Sequence, residues 1–208
     1  MFFSYGNLEK EYLSNADKKM AAIINKYGHI YREVEKDVFK ALIKNILSQQ
    51  ISSDAYKSIL NRFIELTNNF DGEKMLNFSE DDFKEYGISK KKASYIKQII
   101  LSKYRYGYDF EGLKKLNDDE IVETLIKFKG VGKWTAQMTL IFSLERKDVF
   151  AVDDFGIRKG ISLLYGENIN DKRSIRKYYE LFSPYSTIAS FYIWEVAKDN
   201  NFSNTKLI

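Results

Sequence analysis

No cysteine occurs in the 208 residues. Disulfides, zinc–thiolate sites and iron–sulfur clusters are therefore excluded. The single histidine, His29, leaves no pair of imidazoles for a histidine-based metal site. Any chemistry must run without a thiolate or a histidine cluster. Only one proline is present, Pro184, as expected of long helices, which tolerate a fixed φ and a missing N–H at few positions. Nowhere do eighteen uncharged apolar residues run together, and Met1-Phe2-Phe3-Ser4-Tyr5-Gly6 has no basic leader ahead of a long apolar stretch. A soluble intracellular protein without a membrane partner is expected.

What is present is ordinary for a globular chain, with 44% hydrophobic and 30% charged residues, enough to bury a core. The net charge of +4 is unevenly placed: between Lys84 and Lys115 stand nine Lys or Arg against three acids. Such a basic stripe suits a phosphate backbone, and it equally describes the solvated face of a lysine-rich helix. Apolar residues recur at helical spacing almost throughout, as in Val38, Phe39, Leu42, Ile43, Ile46 and Leu47. The fold class expected is all-α, with helices near 8–25, 36–49, 53–67, 80–86, 90–105, 118–127, 132–144, 154–165, 172–182 and 187–198. Ser79 before Asp82 and Asn117 before Glu120 resemble capping boxes at two of these starts. Residues 147–152 alternate weakly and read as an extended connection. No repeat or low-complexity tract occurs.

Two segments look alike, Tyr86-Gly87-Ile88-Ser89-Lys90 and Lys129-Gly130-Val131-Gly132-Lys133, each a glycine turn feeding a basic helix start. In the second, Gly130 and Gly132 permit positive φ and close backbone approach around Val131, so successive N–H groups can point outward at the head of the next helix. Those donors and the helix dipole favour an anion, and Lys127, Lys129 and Lys133 add positive charge around the same point. Thr135 follows within the first turn. A DNA phosphate held without regard to sequence fits this arrangement; a plain helix–helix connector is the bland alternative. The segment lacks the Gly-x4-Gly-Lys-Ser/Thr loop and the third glycine of Gly-x-Gly-x-x-Gly, which argues against small nucleotides.

About twenty residues beyond the turn, Asp153 and Asp154 stand where an extended segment enters a helix. One of them is expected to cap that helix. A carboxylate at a helix N-terminus is favoured in its ionised form by the dipole and the free N–H groups. Facing a sugar, it could stabilise an oxocarbenium-like centre or activate a water.

The block from Leu125 to Gly156 resembles the helix-hairpin-helix DNA glycosylase superfamily, which pairs a Leu-Pro-Gly-Val/Ile-Gly hairpin with an essential Asp some twenty residues later. Lys129 stands where the family usually has proline. By position the resemblance implies that Asp154 is the catalytic carboxylate, and that Asp153 is the cap or a supporting residue. Two residues after the hairpin, strand-cutting members carry a Schiff-base lysine. This chain has Trp134, like the alkylbase (3-methyladenine) branch with its Gly-Ile/Val-Gly-x-Trp-Thr-Ala, and Trp134 cannot form an imine. Lys133 lies one helical step of ~100° away. Ile46-Leu47-Ser48-Gln49-Gln50-Ile51-Ser52 is similar to the family's helix end that fills the gap left by a flipped nucleotide, with Gln50 at that place. Ser183-Pro184-Tyr185 through Trp194 is similar to the family's Pro-Trp/Tyr-Arg-Ser-x-Ala…Trp segment, with Ser186 where arginine is common.

The resemblance, which covers about residues 36–198, implies two helical lobes with DNA and the base pocket in the cleft between them. One lobe would span about 36–116, the other about 1–35 with 117–208, and the helix-hairpin-helix 118–144. It implies removal of alkylated purines from damaged double-stranded DNA, leaving an abasic site. Asp154 would stabilise the sugar, Trp134, Trp194 and Met138 would line the base pocket, and Gln50, Lys127, Lys129, Gly130, Val131, Gly132, Lys133 and Thr135 would bind DNA. No cofactor is required on this reading, although a monovalent cation at the hairpin is allowed for. A monomer in a prokaryotic cytoplasm, associated with the nucleoid, is expected. Rival readings are a glycosylase for oxidised or deaminated purines, a non-catalytic hairpin module that grips DNA for a partner, and a metal-dependent nuclease using Asp153 and Asp154.

Overall fold

In a computed structural model, which describes residues 1–202 and only the backbone of Ser53, twelve α-helices and one 3₁₀ turn account for the regular structure. Among the described residues the only β pairing is an isolated antiparallel bridge between Phe2 and Glu33. None of their helices is long and apolar enough to cross a membrane. The chain divides into two compact units, Met1–Val34 with Glu145–Ile208, and Glu35–Leu144.

The central unit holds α3 (Val38–Ser48), α4 (Ser53–Leu66), α5 (Gly72–Asn77), α6 (Glu80–Glu85), α7 (Lys90–Tyr104), the 3₁₀ turn Glu111–Lys115, α8 (Asp118–Leu125) and α9 (Lys133–Phe142). Its organising element is α3, which packs against α4, α7 and α9. Phe39, Leu42, Ile43, Ile46 and Leu47 of α3 are buried, each stabilising the unit by about 1.5–3 kcal/mol relative to exposure. Ser79 with Asp82 and Asn117 with Glu120 form the two expected capping boxes.

The other unit comes from two stretches of chain: α1 (Asn7–Ala16) and α2 (Lys18–Tyr27), then α10 (Phe155–Tyr165), α11 (Lys172–Phe182) and α12 (Ser186–Lys198). Polar bonds sew the stretches together, among them Lys147 to Glu9 at 2.6 Å, Tyr12 Oη to the Ser183 carbonyl at 2.7 Å and Tyr165 Oη to Asp17 at 2.7 Å. Burial and the adjoining Asp17 push the Tyr165 phenol far above the usual tyrosine range.

Three expectations change. The helix expected over 8–25 is two helices, because Asp17 is extended (φ −151°) and its carboxylate caps α2 through the Met20 N–H. The short α5 and the 3₁₀ turn were not anticipated, each being too brief to set up a period. Residues 117–144 group with 35–116, since α9 packs on α3; the lobe boundary falls at 144/145 instead of 116/117. The proposed second lobe also included residues 203–208, which lie outside the described residues.

Candidate functional site

The hairpin joins α8 to α9. At its turn Gly130 has φ +84°, and a Cβ there would lie 2.0 Å from the Tyr95 ring, so left-handed backbone and close approach both demand glycine. Gly132 does not share the first requirement, its φ being −88°. It is the N-cap of α9, and no side chain caps that helix, whereas Asn117 caps α8. The head of α9 thus keeps the anion-binding character of an uncapped N-terminus. Lys127, Lys129 and Lys133 are exposed around it.

Where the resemblance leads one to expect proline, Lys129 has an N–H, and it donates to Gln98 Oε1 of α7 at 3.2 Å. The rigidity that a ring would supply comes here from a tether. A groove of about 700 Å³ runs beside the hairpin, lined among others by Gln49, Gln50, Lys91, Tyr95, Lys129 and Trp134. Lys133 is not among the lining residues, in keeping with the helical step between it and Trp134.

The basic stripe is less of a surface than its count suggests. Lys97 donates to the carbonyls of Leu76 at 2.6 Å and Phe78 at 2.5 Å, at the end of α5. Lys92 donates to those of Leu47 at 2.8 Å and Gln49 at 2.7 Å, at the end of α3. Burial pushes both ammonium groups below the usual lysine range. Lys90 and Lys91, by contrast, are exposed at the head of α7.

Gln50 follows directly on the end of α3, exposed and with φ +56°, a left-handed conformation uncommon for a residue with a side chain. Its neighbour Gln49 turns inward, its Nε2 donating to the Gly130 carbonyl at 2.9 Å and to Thr135 Oγ1 at 3.1 Å.

In the other unit, Asp154 is the N-cap of α10. Its Oδ1 accepts from the Ile157 N–H at 2.9 Å and from Trp194 Nε1 of α12 at 2.8 Å. Two donors on one oxygen fix the orientation of a half-buried carboxylate at the positive end of a helix. Gly156 makes room for this: a Cβ there would lie 2.8 Å from Trp194 Cδ1 and 3.1 Å from Asp154 Oδ1.

Several site expectations are corrected or refined. Asp153 is not the cap. It is exposed and pairs with Lys172 at 2.6 Å, while Asp154 is the residue that caps α10 through the Ile157 N–H. Thr135, expected to contact DNA, is 3% exposed and is engaged by Gln49, so it braces the hairpin from beneath. Val131 is buried as well. Met138 is buried and does not line the groove. Ser186, the first residue of α12, is buried and donates to Asp148 Oδ1 at 2.7 Å. Residues missed from the sequence are Gln49 as a brace, Lys92, Tyr95 and Gln98; only the raw count of basic residues pointed toward Lys92.

Among the described residues no group of three or more His, Cys, Asp or Glu could hold a metal ion. Two hairpin carbonyls accept hydrogen bonds, that of Phe128 from the Val131 N–H and that of Gly130 from Gln49 Nε2.

Residues 43–184 match the family described as "HhH-GPD superfamily base excision DNA repair protein". DNA-3-methyladenine glycosylase 1 of Schizosaccharomyces pombe is 31% identical over 186 residues, covering 87% of this chain and 82% of that protein. Among solved structures, the 3-methyladenine DNA glycosylase of S. pombe in complex with abasic DNA is similar with a TM-score of 0.81 at 29% identity, over 94% of this chain and 98% of that one. A DNA-3-methyladenine glycosidase from Bacillus halodurans gives 0.80 at 29% identity, over 96% and 93%.

Proposed function

We propose, for a chain that belongs to the HhH-GPD superfamily of base excision DNA repair proteins, that it is a monofunctional glycosylase releasing alkylated purines of the 3-methyladenine and 7-methylguanine type from duplex DNA. The observation that carries this is Asp154, a carboxylate held at a helix head by Ile157 N–H and Trp194 Nε1 on one oxygen.

A base within the duplex cannot be reached, so the nucleotide is first rotated out at a cost of a few kcal/mol. Gln50 fills the gap while the hairpin and its lysines grip the backbone. Alkylation at N3 or N7 makes the purine cationic and a good leaving group. Electron-rich indole attracts such a ring by ~0.5–2 kcal/mol, the role assigned to Trp134. The bond between the base nitrogen and C1′ then breaks, and the electron pair leaves with the base. Asp154 stabilises the positive charge left on the sugar and orients the water that adds to C1′, and the water's proton passes through the carboxylate to solvent. The products are the free base and an abasic site. Trp134 in place of an amine supports hydrolysis without strand cleavage. The reaction needs no cofactor, and since the hairpin and Asp154 lie on one chain, a monomer suffices.

The test is base release from duplexes carrying 3-methyladenine or 7-methylguanine, with the strand probed for scission without added alkali. Release with an intact abasic strand is expected. Release only from oxidised or deaminated purines would redirect the assignment to another lesion, and salt-sensitive binding without any release would leave a binding module.

A further inference from the structure

The end of α3 is held in an unusual way. The last carbonyls of a helix lack intrahelical partners, and helices commonly end on a glycine in the left-handed region that brings fresh N–H groups back to them. Here the left-handed residue is Gln50, with φ +56°, a conformation disfavoured for a residue with a Cβ. The Lys92 ammonium reaches across from the first turn of α7 to the carbonyls of Leu47 at 2.8 Å and Gln49 at 2.7 Å. The Gln49 carbonyl belongs to the peptide unit that joins Gln49 to Gln50. Fixing that oxygen fixes the peptide plane from which φ of Gln50 is measured, and the plane together with φ of +56° sets the direction in which the Gln50 side chain leaves the backbone. The Gln49 side chain bonds to the Gly130 carbonyl and Thr135 Oγ1, tying the same peptide to the hairpin.

Both partners of Lys92 are carbonyls, and burial pushes its ammonium below the usual lysine range. Lys97 holds the end of α5 in the same way, but of the two lysines only Lys92 grips a carbonyl directly before a left-handed residue, Gln50.

We propose that Lys92 is a positioning residue for base extrusion, setting the left-handed backbone at Gln50 through the Gln49 carbonyl, with Gln49 linking that turn to the hairpin. This rests on Gln50 filling the gap in DNA. Lys92→Met keeps the stem and removes the donors; Lys92→Arg restores them.

The experiment follows stopped-flow fluorescence of 2-aminopurine placed as the extruded base in a duplex, for the full chain and for Lys92→Met, Lys92→Arg, Gln50→Ala and Lys92→Met/Gln50→Ala. Affinity for undamaged duplex, thermal unfolding and 7-methylguanine release are measured on the same samples. Lys92→Met is expected to slow extrusion about tenfold with duplex affinity within about twofold. Lys92→Arg should recover most of the rate, and Lys92→Met should cost nothing further once Gln50 is alanine. Equal losses from Lys92→Met in both backgrounds, or no loss in either, would overturn the proposal while leaving the role of Gln50 intact. A wild-type extrusion rate in Gln50→Ala, or no extrusion by the wild type, would remove the gap-filling role and the proposal together. Failure of 7-methylguanine release despite extrusion would count against the lesion assignment, and the extrusion rates would still decide the role of Lys92.

Discussion

Trp194→Phe separates two roles the indole could have, lining a base pocket and orienting Asp154. The substitution keeps an aromatic ring between α10 and α12 and removes only the Nε1 donor, 2.8 Å from Asp154 Oδ1, together with the volume of the five-membered ring. A hydrogen bond to a charged acceptor contributes about 1.5–3 kcal/mol net, and half-burial of Trp194 argues for the lower half of that range. A total near 2 kcal/mol would lower Tm by about 4–8 °C in a chain of this size. With the Nε1 bond gone from Oδ1, the carboxylate is held less firmly, and since an ångström of misplacement can cost ~10²-fold, release should slow about ten- to hundredfold. The assay is single-turnover release of 7-methylguanine at saturating enzyme, with affinity for undamaged duplex and Tm measured in parallel. Affinity should hold within about twofold, because the hairpin and its lysines belong to the other unit. A wild-type release rate would refute the orienting role. A parallel fall in affinity and rate would make Trp194 a DNA contact instead.

Other outcomes follow from the same geometry. Gly130→Ala places a Cβ 2.0 Å from the Tyr95 ring at φ +84°; a strain of ~1–2 kcal/mol from the backbone alone should lower Tm and weaken undamaged-duplex binding together, as read by melting and anisotropy titration. Lys129→Ala should weaken binding to all sequences alike and reduce the slope of log affinity against log salt by about 0.9 if it meets one phosphate, while leaving the release rate at saturation unchanged. Tyr165 has a raised pKa in the folded state, so its contribution is present below the unfolded value near 10 and lost as pH rises beyond it. Tyr165→Phe should therefore be less stable than wild type at pH 8, and the gap in denaturant unfolding should narrow at pH 11.

Much of this was legible in the sequence because local signals agreed with the fold. Ser79 and Asn117 announced their helices by capping boxes that the structure contains, and the apolar period of α3 gave the element around which the central unit packs. What escaped was information carried by single side chains over long range. The break at Asp17 is invisible to periodicity, since apolar spacing continues across it while one carboxylate caps α2 and receives Tyr165. The division of labour between Asp153 and Asp154 depends on the residue at which α10 begins, which a cap preference cannot decide between identical neighbours. Lys92 and Lys97 counted as positive surface until their partners proved to be carbonyls from α3 and α5. The lysine at 129 read as a weakened turn, and its tether to Gln98 comes from a helix thirty-one residues away in sequence.

The most direct measurement compares wild type with Asp154→Asn in single-turnover release of 7-methylguanine from duplex DNA, with binding to undamaged duplex followed alongside. Asparagine keeps an oxygen for Ile157 N and Trp194 Nε1 and caps a helix about as well as aspartate, so fold and binding should persist while the charge is gone. Release by the wild type with an intact strand, and at least about a hundredfold slower release by the variant, is the predicted result. A variant that binds and releases the base at the wild-type rate would contradict the account, because the carboxylate at the head of α10 would then carry no part of the chemistry.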